Sequence, residues 1–175
     1  MNINLQDNFF VIFQLPVSYR VELAALDSRY RDLQRSVHPD KHVGASDQDK
    51  RLSMQWATVI NEAYATLKSP LKRAIYMFTL RGCDLESNPT LPGDFLMAQI
   101  ERREALEDIS SDIDGLKDLK QFKSKLVAEQ ALLETDFAAQ IDEQLAAAEL
   151  TIYKMQFLHK LYNEADLLEE SLLDY

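Results

Sequence analysis

Among 175 residues there is one cysteine, with four glycines and five prolines. A lone Cys83 excludes an internal disulfide framework, and by itself it cannot complete a structural zinc site or hold an iron–sulfur cluster. Scarce glycine and proline, with Val and Ile far outnumbered by Leu and Ala, argue against a β-rich fold. The apolar run Phe9-Phe10-Val11-Ile12-Phe13 is too short to cross a bilayer. It has no basic flank before it and no small-residue cleavage site, so no signal peptide is read and a cytoplasmic protein is expected. The few glycines form no P-loop or dinucleotide fingerprint. None of the three histidines follows a glutamate by three residues, which leaves a di-iron site in a helical bundle without support.

What remains is 46% hydrophobic and 27% charged. That apolar fraction is too high for a solvated, disordered chain, and the length suits one large domain or two small ones. The net charge of −10 is unevenly spread. Residues 1–80 carry 10 Lys+Arg against 8 Asp+Glu, whereas residues 81–175 carry 9 against 21. Such an acidic balance argues against nucleic acid as a partner, and the asymmetry points to two domains with different partners.

Breakers divide the chain in the same way. Pro16, the loop from His38 to about Asp49, and Ser69-Pro70 punctuate the first half. Gly82, Pro89, Pro92 and Gly93 then gather between Arg81 and Gly93, where the domain boundary is placed. Elsewhere the apolar period is helical. Leu23, Leu26, Tyr30, Leu33 and Val37 mark an amphipathic helix over 20–37, and Trp56, Val59, Ile60, Ala63 and Leu67 mark a second from about Lys50 to Lys68. Joined at His38, these two form an antiparallel hairpin, with short helices at Phe9–Leu15 and Leu71–Leu80 over its ends. Beyond the boundary, Asp94–Ile109, Leu116–Phe137 and roughly Asp142–Leu173 read as three antiparallel helices, with Asp94 and Asp114 as N-caps. Whether a helix breaks or runs through Ile141–Leu145 stays open.

His38-Pro39-Asp40 directly follows the first long helix. Pro39 biases His38 away from helix, so the chain must stop there and turn outward. Arg31 and Arg35 lie roughly opposite the apolar stripe, with Arg20 nearby, and Lys41 continues this basic strip into the loop. Alternatives are a plain polar turn with a capping aspartate, or a metal site from His38, Asp40 and His42, which lacks an obvious fourth ligand. On the helix from Asp94, residues Phe95, Gln99, Arg102, Leu106 and Ile109 fall within about 40° of one line at 3.6 residues per turn, a core stripe. Leu96, Met97, Ile100 and Glu104 occupy the opposite face, with Glu101, Glu107 and Asp108 around them. Apolar residues ringed by carboxylates mark a partner site, unless Leu96 and Ile100 face another helix of the bundle. Periodicity alone leaves both readings standing.

The helix–HPD–helix arrangement resembles a J-domain, the module through which co-chaperones engage Hsp70 ATPases. The stretch from Phe95 to Glu104, the run Phe157-Leu158-His159-Lys160-Leu161 and the ending Leu172-Leu173-Asp174-Tyr175 are similar to the HscB family of J-type co-chaperones in bacterial iron–sulfur cluster assembly. The resemblance implies an all-α fold, with a J-domain over 1–80, a linker over 81–93 and an acidic three-helix bundle over 94–175. It implies no catalysis and no cofactor or metal, but stimulation of a specialised Hsp70, HscA, and delivery of the cluster scaffold IscU. For Hsp70 binding it points to His38, Pro39, Asp40 and Lys41 with Arg31, Gln34 and Arg35 on the preceding helix. Scaffold binding falls by position on Leu96, Met97, Ile100, Glu101, Glu104, Asp108 and Phe157, where Asp108 replaces an expected glutamate. Phe157 lies about 140° from the stripe Ile152–Met155–Leu158–Tyr162–Ala165, although Leu150 and Leu161 share its side and a second buried stripe is the alternative. An enzyme reading finds little support, since Cys83 has no activating base near it in sequence. A J-protein serving general unfolded clients would carry zinc-cysteine or Gly/Phe-rich regions, which this sequence lacks.

Overall fold

The computed structural model describes residues 4–37, 46–87, 89–109 and 113–173. Seven helices and no strand occur among them: α1 (Phe9–Ile12), α2 (Leu23–Val37), α3 (Asp47–Lys68), α4 (Pro70–Leu80), α5 (Gly93–Glu107), α6 (Ile113–Gln140) and α7 (Leu145–Leu173). They divide into two compact units, Met1–Met77 and Phe78–Tyr175.

In the N-terminal unit, α2 and α3 pair along a core in which Leu26, Ile60, Ala63 and Leu67 are fully buried, with Phe10, Ile12 and Phe13 of the α1 region alongside. Leu23, expected in the buried stripe, is instead exposed at the very start of α2. Helix α1 is shorter than its apolar run. Gln14 takes φ 53°, and the amides of Gln14 and Leu15 close back on the carbonyls of Val11 and Phe10, a left-handed helix stop. Helix α3 begins three residues earlier than expected, because Ser46 accepts from the Asp49 amide while Asp49 reaches back to the Ser46 amide. Pro70 opens α4, where a missing N–H costs nothing. The same left-handed stop ends α4 at Gly82, φ 76°, a position that a side chain would strain.

The C-terminal unit is a three-helix arrangement dominated by the α6/α7 hairpin. Leu119, Leu126 and Leu133 recur every seven residues along α6, followed by Phe137, and meet Ala148, Ile152, Met155 and Leu158 of α7. The chain does break between the two helices. Ile141 is buried in the turn, and α7 starts at Leu145. Asp94 and Asp114 are not N-caps: both sit inside the first helical turn, and Pro92 occupies the cap of α5. An acid in the first turn still favours the positive end of the helix dipole, so the preference that suggested a cap is met one or two residues further in. No helix among the described residues is long and apolar enough to cross a membrane.

Leu26 carries much of the α2/α3 core, and the lone Trp56 lies on α3 of the same unit. Leu26→Ala should therefore lower the stability of the N-terminal unit by about 2–5 kcal/mol, read as a lower urea midpoint of Trp56 fluorescence.

Candidate partner-docking site

Two surfaces carry the residues singled out by sequence. On α2, Arg31 and Arg35 are exposed, as is Arg20 before the helix. Arg35 makes a loose ion pair with Asp32 at 3.7 Å, which leaves it available to another anion. Gln34 is placed differently. Its Nε2 donates to Asn61 Oδ1 at 2.5 Å and to the Tyr30 hydroxyl at 3.3 Å, while that hydroxyl donates to the same Asn61 oxygen at 2.9 Å. Tyr30 stacks on Tyr64 with centroids 3.9 Å apart, and the Tyr64 hydroxyl donates to Asp27 at 2.8 Å. Gln34 thus belongs to a clasp holding α2 on α3, and Asn61, its partner, was not visible as a functional position in the sequence. His38, Pro39, Asp40 and Lys41, with His42, lie outside the described residues.

The second surface is on α5. Phe95 and Leu106 are its buried apolar side chains, as the stripe required. Leu96, Met97 and Ile100 project the other way and are 44%, 58% and 52% exposed, with Glu101, Glu104, Glu107 and Asp108 also exposed. The open alternative, that these residues face another helix, is therefore excluded. Asp108 also ends the helix, its amide closing on the Glu104 carbonyl while the Ile109 amide closes on that of Leu106. Phe157 is half-buried on α7 and meets Phe95 edge-on, with centroids 6.1 Å apart and planes at 86°. The second stripe suspected on its side of α7 is partly real, since Leu161 is buried.

Polar contacts hold this region together. Arg102 Nη2 meets Glu129 of α6 at 2.6 Å and its Nη1 donates to the Ala98 carbonyl, while Arg103 reaches Glu164 of α7 at 3.2 Å. Before α5, Tyr153 accepts from the Glu86 amide at 2.8 Å and donates to Glu149, and Arg81 pairs with Asp142. Burial, followed by the Glu149 contact, raises the Tyr153 pKa. No cluster of His, Cys, Asp or Glu poised for a metal ion occurs among the described residues. The chemistry on offer is that of docking: a cationic helix face in one unit and an apolar patch with an acidic rim in the other.

Comparison with known proteins gives this pairing a family. A DnaJ domain model matches residues 13–76, and the model described as the HSCB C-terminal oligomerisation domain matches residues 91–166. The Co-chaperone protein HscB homolog of Shewanella oneidensis is 39% identical over 173 residues, spanning 95% of this chain and 99% of that protein. The chain belongs to the HscB co-chaperone family. The HscB homolog of Aromatoleum aromaticum is 41% identical over 176 residues, spanning 98% of this chain and 99% of its own length. Among solved structures, the chaperone HscB from Vibrio cholerae superposes with a TM-score of 0.86 at 35% identity, covering 95% of this chain and 99% of that one. Human co-chaperone HscB gives the same TM-score at 26% identity, with coverages of 94% and 83%. The N-terminal unit of this HscB-family chain is thus a J-domain, and the acidic unit carries the family's own C-terminal domain.

Exposure separates the patch residues by their role in the fold. Combined Leu96→Ala, Met97→Ala and Ile100→Ala should leave stability within about 0.5 kcal/mol per site of wild type. Phe157→Ala, which removes the edge contact to Phe95, should cost about 1–3 kcal/mol in a urea melt followed by circular dichroism.

Proposed function

We propose that this protein is a cytoplasmic adaptor without chemistry of its own, which stimulates the ATPase of an HscA-type Hsp70 and presents an IscU-type scaffold to it during iron–sulfur cluster maturation. The observation that carries the reading is the union, in one HscB-family chain, of a J-domain with a second domain whose α5 exposes Leu96, Met97 and Ile100 to solvent. A contiguous exposed apolar cluster rimmed by carboxylates is the mark of an interaction surface. In this reading the functional halves are 1–80 and 94–175, with 81–93 between them.

The division of labour follows from the chemistry of each surface. Arg31 and Arg35 steer and dock the J-domain on an acidic Hsp70 surface, and Lys41 extends that field into the loop. His38 and Asp40 contact the Hsp70 conformation that hydrolyses ATP more strongly than the resting one, and Pro39 restricts the loop that holds them. Only such a differential contact can shift the Hsp70 equilibrium. Gln34, on the same face, also ties α2 to α3 through its bond to Asn61. On the other unit, Leu96, Met97, Ile100 and Phe157 form the apolar centre of the scaffold site. Glu101, Glu104 and Asp108 form a rim that selects a basic counterpart.

Single-turnover ATP hydrolysis by the Hsp70, with and without scaffold, tests the whole reading. His38→Gln and Asp40→Asn should each abolish stimulation while the thermal melt stays at the wild-type value; stimulation by either variant at the wild-type level contradicts the proposal. Arg31→Glu and Arg35→Glu should raise the concentration needed for half-maximal stimulation. That effect should shrink as salt rises, because exposed charges are screened over about 10 Å at 0.1 M ionic strength.

A further inference from the structure

Helix α5 has a narrow apolar footing. Phe95 and Leu106, its buried apolar side chains, are eleven positions apart and fall within about 20° of one another around the helix axis. Anchors on a single line fix where a helix lies and how it tilts, but they leave it free to roll about that line. Roll is the coordinate that matters for Leu96, Met97 and Ile100, because it decides how far the patch turns toward solvent. Two ion pairs act on that coordinate from opposite sides. Arg102, just to one side of the anchor line, reaches Glu129 on α6 at 2.6 Å. Arg103, on the other side, reaches Glu164 on α7 at 3.2 Å. The Arg102 side chain is 28% exposed and that of Glu129 37%, so this pair is partly withdrawn from water. Its guanidinium is oriented further by the bond from Nη1 to the Ala98 carbonyl, one turn back on α5.

We propose that these two stays set the roll of α5, which makes Arg102 and Glu129 positioning residues for partner docking although they lie on the side of α5 away from the patch. The proposal rests on the reading of Leu96, Met97 and Ile100 as the scaffold site. Arg102 and Glu129 are the pair to test, because Arg103 lies next to Leu96 around the helix and a change there would alter the patch itself.

The experiment uses the full chain with Arg102→Glu, Glu129→Arg, the double charge swap, and Arg102→Gln as a milder variant. Amide hydrogen exchange by mass spectrometry reads the α5 peptides against those of α6 and α7, and calorimetry with a purified iron–sulfur scaffold protein reads affinity. Each single reversal should speed exchange in α5 by about three- to tenfold with α6 and α7 unchanged, and should weaken scaffold binding by a similar factor. The double swap should restore both, and Arg102→Gln should fall between. Unchanged α5 exchange in both single variants overturns the proposal, as does a double swap that fails to rescue. A wild-type protein that binds no scaffold overturns the docking reading instead, and the exchange measurement, made without any partner, still decides whether the pair holds α5.

Discussion

Where α6 meets α7, an apolar seam of leucines and a phenylalanine is interrupted by Lys123, whose ammonium lies 2.5 Å from Asp166 and 2.6 Å from Glu169. Those two hydrogen-bonded carboxylates raise the Lys123 pKa. Leucine seams tolerate sliding by a whole turn; a lysine that must find its carboxylates does not, so this contact pins the register of the two longest helices. The consequences reach the surface. Once α6 and α7 have covered one another, the bundle offers α5 only enough apolar ground for Phe95 and Leu106. The outward residues Leu96, Met97 and Ile100 are left facing solvent, and they are the surface that the proposed function uses.

The N-terminal unit solves a related problem with polar groups. Its core fixes α2 against α3, while the clasp of Tyr30, Tyr64, Asn61, Gln34 and Asp27 occupies the seam at its edge. The exposed Arg31 and Arg35 of α2 lie outside that arrangement. On the proposed reading, exposed cations on this helix steer it toward an acidic partner surface at long range.

Much of this was legible in the residues. The helical periods located the five longer helices among the described residues, and the α5 stripe separated Phe95 and Leu106 from Leu96, Met97 and Ile100. Whether that second face was buried could not be read, because a helical wheel shows which residues share a side and not how many neighbours compete for it. The bond from Gln34 to Asn61, twenty-seven residues away, leaves no trace in local spacing. Asp94 and Asp114 were taken for caps because an acid at the cap and one in the first turn answer the same dipole. Ser46 and Asp49 did carry a capping signal, obscured by aspartate standing where glutamate is usual. The Ile141–Leu145 region was ambiguous because its composition permits helix; the turn is imposed by α7 returning along α6.

Phe157 and Met97, both assigned to the proposed scaffold site, are unlike in stiffness. The ring of Phe157 is held edge-on by Phe95 before anything docks, so little of its rotational freedom remains to be lost on association. Met97, more than half exposed and unbranched, keeps several rotamers and can reshape itself to what it meets. A surface that combines a stiff aromatic with a pliant thioether discriminates at one point and accommodates at another. On the proposed scaffold reading, a partner must match the ring closely, while the contour that covers the methionine is free to vary.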